Sequence, residues 1–130
     1  MRIPLICHWR GDNDIAGAFL EYYSGWVSEF HIILHGPRAE STALLDLQSR
    51  FPITIRDWYD SPYDEYEKER RLNRLIMEFV GQWVLVVDSD ELVELPYRSV
   101  ESTIAELEKV GATSLAAPML QRLRMDGSLN

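Results

Sequence analysis

The sequence has little cysteine and no long hydrophobic run. Cys7 is the only cysteine among 130 residues, so an internal disulfide is excluded and a secreted disulfide framework is not expected. The apolar runs at residues 1–7, 26–34 and 83–87 are far shorter than the roughly 20 residues that a membrane-spanning helix needs. The first run also lacks the pattern of a signal sequence. We therefore expect a cytoplasmic protein without a transmembrane segment.

Basic residues are also scarce. The chain has 13 Lys and Arg against 21 Asp and Glu, which gives a formal charge of −8. Affinity for a nucleic-acid backbone comes mainly from clustered Lys and Arg, so we expect no nucleic-acid partner. A glycine-rich phosphate loop of the G-x-x-x-x-G-K-[ST] type is missing as well. If this protein binds phosphate, we expect a metal cation to assist.

Short apolar runs alternate with segments of helical periodicity along the whole chain. Strands separated by helices of this length lie parallel in one sheet. The sequence therefore predicts a single domain over residues 1–130, an α/β three-layer sandwich with a mostly parallel, Rossmann-like sheet. Asp12, Asn13 or Asp14 is expected to cap the first helix. Strands are predicted at residues 3–8, 30–34, 53–55, 83–87 and 114–120, and helices at 15–23, 40–50, 66–80 and 99–110.

Three carboxylates follow the most apolar run of the sequence. Asp88, Asp90 and Glu91 come directly after residues 83–87, which we expect to form a central strand. Ligands of open parallel sheets bind beyond the carboxyl ends of the strands. Because side chains alternate along an extended backbone, Asp88 and Asp90 are expected to point to one side and to bind one Mg²⁺ or Mn²⁺ ion. Ordinary turn chemistry for Asp-Ser-Asp is the alternative, and it stays open.

The stretch over residues 73–91 resembles a known family. Gly81-Gln82-Trp83 before the apolar strand, and Asp88-Ser89-Asp90-Glu91 after it, are similar to the segment that ends in the D-x-D-E signature of family 2-like glycosyltransferases of GT-A fold. The first part of the chain resembles the family pattern less closely. Residues 11–14 resemble the family's Asn-Glu pair, and residues 19–23 resemble its W-x-x-[YH]-[YH] helix. The resemblance spans about residues 3–119, and its D-x-D-E end is the specific part.

This resemblance implies a metal-dependent domain that binds a nucleotide-sugar donor. The donor is expected to be a UDP-sugar, the cofactor Mn²⁺ or Mg²⁺, and the acceptor a sugar, lipid or protein. Asp90 would coordinate the metal on the donor diphosphate, Asp88 would lie near the metal or the ribose, and Glu91 would support the site. The metal candidates are therefore Asp88, Asp90 and Glu91. The candidate substrate-binding residues are His8, Arg10, Asp12, Asn13, Asp57, Arg70, Asn73 and Asp88.

Several of these candidates have an ordinary structural interpretation beside the functional one. His8 is expected as a partly buried histidine that bonds a backbone carbonyl. Arg70 and Arg71 lie on the predicted third helix, where arginines are commonly solvated. Trp9 and Trp58, at the carboxyl-end rim, are candidates for stacking on a nucleobase or sugar, although core packing is the commoner role of tryptophan.

The sequence departs from the family pattern in two places. Many members have D-x-S-x-D-x-[ST] after the second strand, whereas this chain has His35-Gly36-Pro37-Arg38 there, so the nucleotide-binding Asp is missing. Asp57, which ends the third predicted strand, is its candidate replacement. The family's acceptor-binding half, with its general base, would follow the fifth strand. We therefore expect a donor-binding half, a truncated form of a longer domain or a degenerate relative of the family. The unfinished sheet favours a homo-oligomer or pairing with a missing C-terminal half.

Two other functions stay open. Haloacid-dehalogenase-type phosphatases carry D-x-D-x-[TV] after an apolar strand, with the first Asp as the nucleophile. Here Leu92 stands at the last position of that motif, and three strand-helix units precede it. The other alternative is a non-catalytic module that derives from the GT-A fold and binds a nucleotide or a partner protein.

Overall fold

The computed structural model describes residues 2–97 and 99–115. Parallel strands alternate with helices in this part of the chain, and the fold is α/β, as the sequence predicts. The strands are β1 (Ile3–Trp9), β2 (Val27–His35), β3 (Ile53–Tyr59) and β4 (Leu85–Asp88). The helices are α1 (Ala16–Tyr23), α2 (Thr42–Asp46), α3 (Glu65–Ile76) and α4 (Val100–Lys109), with 3-10 turns at Arg38–Ser41, Leu47–Ser49 and Met77–Phe79.

The four strands form one sheet in the order β3-β2-β1-β4. Every pairing is parallel, which confirms the Rossmann-like architecture. In the register between β1 and β4, His8 lies opposite Asp88. Strand order therefore reverses at β1, because β2 and β3 extend the sheet to one side of it and β4 extends it to the other.

The central strands are β1 and β2, which are buried on both faces of the sheet from Pro4 onward in β1 and from Phe30 onward in β2. Leu5 and Cys7 on β1 pack with Phe19 and Leu20 of α1 and with Leu44 of α2. The expectation that residues 83–87 form a central strand is wrong for the described part of the chain, because β4 is the last strand on its side of the sheet. Val86 is accordingly 43% exposed.

Helix α3 covers the opposite face of the sheet. Leu75 packs against Ile6 and Ile33, with Leu72 and Ile76 beside them. The helix begins where the Asp64 carboxylate accepts the backbone N–H of Tyr66 at 3.0 Å, a side-chain cap that satisfies one of the free donors of the first turn. Helices thus lie on both faces of the sheet, and the three layers are complete.

Local boundaries differ from the predicted ones. The segment at residues 40–50 is a short α-helix between two 3-10 turns, and β3 continues to Tyr59, so Asp57 lies within a strand. The N-cap of α1 is Ile15 without a side-chain bond, so the expected acidic or Asn cap is wrong. Asn13 instead accepts the backbone N–H of Ala43 at 3.1 Å.

Two further expectations concern the ends of the fold and the membrane. Most of the predicted strand at residues 114–120 lies outside the described residues, and Ser114 and Leu115 are not in a strand. None of the helices in residues 2–97 and 99–115 has the length and hydropathy to cross a bilayer.

Candidate functional site

The candidate site lies where strand order reverses, beyond the carboxyl ends of β1 and β4. This is the position at which open α/β sheets bind ligands, because the connections from adjacent strands leave in opposite directions and open a crevice. Arg10, Gly11 and Asp12 follow β1, and Ser89, Asp90 and Glu91 follow β4. The structure therefore brings the D-x-D-E residues next to the loop that follows the first strand.

The D-x-D-E residues form a turn. The carbonyl oxygen of Asp88 accepts the N–H of Glu91 at 3.1 Å, and the Glu91 carboxylate accepts the N–H of Asp88 at 2.7 Å. The expectation that the extended backbone continues to Asp90 and aligns it with Asp88 is therefore wrong, because the strand ends at Asp88. The turn alternative describes the backbone correctly, because acidic side chains that bond nearby N–H groups stabilise such turns.

Ser89 connects this turn to the loop after β1. Its side chain is 9% exposed, and its hydroxyl donates a hydrogen bond to the Asp12 carboxylate. Asp12 adopts a φ of 50°, and Gly11 before it adopts 66°, so the chain turns sharply to bring the carboxylate toward Ser89. Only glycine adopts such backbone angles at little cost, and Asp is among the few other residues that tolerate them.

Two tyrosines of α1 fix the segment that follows the turn. The Tyr23 hydroxyl donates to the carbonyl of Glu91 at 2.6 Å and accepts the N–H of Val93 at 2.9 Å. The Tyr22 hydroxyl donates to the carbonyl of Val93 at 2.8 Å. Burial raises the pKa of Tyr23 to about 12, so the hydroxyl keeps its proton. These contacts give residues 22 and 23 a structural role in holding the turn.

The first carboxylate of the motif has a basic partner. The Lys68 ammonium on α3 lies 3.1 Å from Oδ1 of Asp88, and the two side chains are 15% and 51% exposed. Burial lowers the pKa of Lys68, but the hydrogen bond and the charge of Asp88 outweigh it and raise the pKa above its ordinary value. The Lys68 ammonium is therefore charged at neutral pH.

The three metal candidates use their oxygens differently. Asp88 bonds Lys68, Glu91 bonds the backbone of Asp88, and Asp90 is exposed. Within residues 2–97 and 99–115, no three His, Cys, Asp or Glu side chains are grouped so that they could hold a metal ion. Mg²⁺ is commonly bound by one or two carboxylates together with substrate phosphates. A joint role of Asp88 and Asp90 at a metal stays a prediction.

A buried aromatic cluster lies behind the crevice, on the α3 face. Nε2 of His8 and the hydroxyl of Tyr59 are 2.7 Å apart, and the ring of His35 stacks on Tyr59 with centroids 4.3 Å apart. His8 is 6% exposed. Burial, with the nearby Lys68 charge, lowers the pKa of His8 to about 4, so it is neutral at pH 7. The expected backbone-carbonyl partner of His8 is wrong, because the phenol takes that place.

The arginines and Asp57 form a separate network on α3 and β3. The Arg71 guanidinium lies over the ring of Tyr59 at 4.0 Å and donates to Asp57 at 2.7 Å and to Glu67 at 2.8 Å. Arg70 donates to Glu67 on its own helix at 2.7 Å. The hydrogen bond from Arg70, assisted by Arg71, lowers the pKa of Glu67 to about 2. Asp57 therefore already has a charged partner on the described chain.

The remaining candidates lie at the rim of the site or inside the core. Trp9 is fully buried and meets Phe19 edge to face at 5.3 Å, so the expectation that it stacks on a ligand is wrong. Trp58 is 44% exposed and lies under the Arg38 guanidinium at 4.6 Å. Arg10 and Asn73 are exposed. Their roles toward a donor stay predictions.

The sequence did not single out Lys68, Tyr59 or Ser89 as site residues. Lys68 is one of several charges on an amphipathic helix, and only the packing of α3 on β1 brings it to Asp88. Ser89 is the unspecified position of D-x-D-E.

Comparison of the chain with protein-family models, curated proteins and solved structures finds no match.

Proposed function

We propose that this chain is the donor-binding part of a GT-A-like glycosyltransferase domain. In this proposal the crevice between β1 and β4 binds a nucleotide-sugar, and the sugar is transferred to an acceptor. The expected donor is a UDP-sugar. The observation that carries the proposal is the position of the D-x-D-E turn. It follows β4 directly at the point where strand order reverses, and Ser89 bonds it to Asp12 of the neighbouring loop.

The charge of the chain supports a cation at this site. A donor diphosphate is strongly negative, and the chain carries a formal charge of −8, so direct binding to an acidic turn would be repulsive. Asp88 and Asp90 would hold Mn²⁺ or Mg²⁺, the hard cations that prefer carboxylate oxygen. When bound, such an ion neutralises the charge that develops on the departing diphosphate.

The residues around the turn would position it rather than take part in the transfer. Glu91 fixes the backbone of Asp88, while Tyr23 fixes the carbonyl of Glu91. The turn is thus held from two sides before any ligand arrives. Preorganised groups of this kind reduce the ordering that binding would otherwise require.

The nucleoside would lie on the β1 side of the crevice. Arg10, Asp12 and Asn13 follow β1, and the half-exposed Trp58 is the next-to-last residue of β3. Ring faces of this type stack on nucleobases and sugars. Asp12 would then hold its orientation through Ser89 while contacting the donor.

Calorimetric titration with UDP tests this proposal. We expect native protein to bind UDP in the presence of Mn²⁺ and to bind it much more weakly without the metal. Asp90→Ala should lose the metal-dependent part. Glu94→Ala is the matched control, because Glu94 is an exposed acid just outside the motif and its removal should leave binding unchanged.

Two outcomes would contradict the proposal in different ways. Equal metal-dependent binding by native protein and by Asp90→Ala would show that the metal does not bind at the D-x-D-E turn. UDP binding that needs no metal and survives Asp90→Ala would instead favour the non-catalytic nucleotide-binding module.

A further inference from the structure

An apolar groove runs along the edge of β4 that faces away from β1. Within residues 2–97 and 99–115, β4 pairs with β1 alone, so its other edge is open. The groove has a volume of about 790 Å³. Val86 of β4 lines it and is 43% exposed. An open strand edge beside exposed apolar side chains is a surface that pairs readily with another extended segment.

Both helical layers contribute side chains to this groove. From the α3 layer come Ile76, Met77 and Phe79, and from α4 come Val100, Ile104 and Leu107. Helix α4 lies on the α1 side of the sheet, since Val100 shares a second recess with Tyr22 and Trp26. The groove is therefore a slot between two layers of helices and beside an edge strand, which is the space that one more strand of the sheet fills.

The chain itself leads into this slot. Leu115 lines the groove, and the end of α4 lies near the start of β4, because Nε1 of Trp83 donates to the Glu108 carboxylate at 3.3 Å. The described chain thus reaches the groove at the amino end of β4. Since β4 has four residues and is about 13 Å long at the usual rise per residue, the segment over residues 116–130 is long enough to run its whole length.

The charges favour this segment as the occupant. Glu91 and Glu94 line the groove, and none of its described lining residues is Lys or Arg. Residues 116–120 are apolar, and Arg122 and Arg124 follow them. A second copy would bring another acidic chain, of formal charge −8, against an acidic groove, whereas this segment brings charge of the opposite sign.

We propose that residues 116–120 fill the groove as a fifth strand parallel to β4, and that Arg122 and Arg124 pair with Glu91 and Glu94 at its far end. This inference does not rest on the proposed function. It assigns to the groove the segment that the sequence predicts as a strand, and it makes that segment the partner that covers the β4 edge.

The register that follows from this arrangement accounts for the spacing of the arginines. With residue 116 beside Leu85, residue 119 lies beside Asp88, and Arg122 reaches the level of Glu91. Two parallel strands joined through a helix such as α4 are the usual connection in a sheet of this type. Pro118 lacks an N–H group, and an edge strand tolerates proline where that position faces away from its neighbour.

Hydrogen exchange of the native full chain, read by mass spectrometry of its peptides, tests the inference. The backbone N–H groups of residues 117–121 should exchange at least about 10-fold more slowly than in a synthetic peptide of residues 114–130, because pairing with β4 protects them. Exchange at the rate of the free peptide would overturn the inference.

A charge placed in the groove tests where the segment binds. Val86→Arg should raise the exchange of residues 117–121 at least about 5-fold, because a strand that packs on Val86 is displaced. Protected peptides from β1 and β2 show that the variant is folded. Val110→Arg is the matched control and should change nothing, because Val110 is 76% exposed and is not among the described lining residues. Unchanged protection of residues 117–121 in folded Val86→Arg would place the segment elsewhere and overturn the inference.

Reversal of the segment's charge tests the pairing at the far end. Arg122→Glu should raise the exchange of residues 117–121 by about 2- to 5-fold, the range for loss of an exposed ion pair. Arg74→Glu makes the same change at an exposed residue outside the described lining of the groove and should leave the exchange unchanged. Equal rates in the two variants would contradict the pairing with Glu91 and Glu94.

Exchange at two protein concentrations distinguishes the segment from a second copy. Docking within one chain gives protection that does not depend on concentration, whereas association of two chains does depend on it. Protection of residues 117–121 that grows with concentration, together with a dimer mass by light scattering, would assign the groove to a second copy and overturn the inference.

Discussion

The hydroxyl of Ser89 donates a hydrogen bond to the carboxylate of Asp12, joining two loops whose residues are 77 positions apart in the sequence. The bond crosses the point where strand order reverses, so it ties the D-x-D-E turn after β4 to the loop after β1. A charged acceptor makes such a bond stronger than one between neutral groups. The two sides of the crevice are therefore held together by the chain itself.

Loss of this bond should weaken both the fold and the crevice. Ser89→Ala removes the donor of a partly buried bond to the exposed Asp12 carboxylate, and we expect unfolding in urea to require about 0.5–1.5 kcal/mol less free energy. Ser24→Ala is the control, since Ser24 makes only a local bond at an exposed helix end. It should change stability by less than about 0.5 kcal/mol. Equal effects of the two variants would contradict a special role for Ser89.

The Tyr23 hydroxyl should matter more than that of Tyr22. Tyr23→Phe keeps a fully buried ring but leaves the Glu91 carbonyl and the Val93 N–H without their partner, at a cost of about 2–3 kcal/mol. Tyr22 is 37% exposed and makes one bond, so Tyr22→Phe should cost less than about 1 kcal/mol. Chemical denaturation of both variants measures the difference. A smaller loss in Tyr23→Phe than in Tyr22→Phe would show that this tyrosine does not anchor the turn.

Stability should fall in mild acid because of His8. Its pKa is about 4 in the folded chain against 6.5 ordinarily, so the unfolded chain binds more protons between these values. The contribution of His8 is complete above pH 6.5 and is lost as the pH falls toward 4. The loss amounts to about 3 kcal/mol over that range.

The variant His8→Gln isolates this contribution. It removes the titrating group, so the free energy of unfolding should decline less between pH 7 and pH 5 in the variant than in native protein. Urea denaturation at several pH values within that range provides the comparison. An identical decline in both proteins would mean that the titration of His8 does not contribute to the loss of stability in acid.

The sheet was predictable because it depends on local patterns. Continuous apolar runs such as residues 3–8 predict strands that are buried on both faces, and intervening helices force parallel pairing. The order of the strands was not predictable in this way. The run at residues 83–87 has the composition of a central strand, yet β4 ends the described sheet on its side, because strand order depends on contacts between distant segments.

The candidate site was predictable in position but not in its internal bonds. Acids after an apolar strand mark the end of that strand, and Asp88 to Glu91 are found there. The turn at Ser89 and Asp90 depends on which N–H each carboxylate accepts, and the partner of Asp88 lies on α3. Spacing along one segment carries no information about Lys68, which reaches the turn through tertiary packing.

Anomalous diffraction from crystals grown with Mn²⁺ and UDP tests the central claim most directly, because it places the metal without reference to any variant. The account predicts a manganese peak between the carboxyl ends of β1 and β4, bonded to carboxylate oxygens of Asp88 and Asp90 and to the UDP diphosphate. UDP in the crevice with no manganese peak at the turn, or a peak bound elsewhere on the chain, would contradict it.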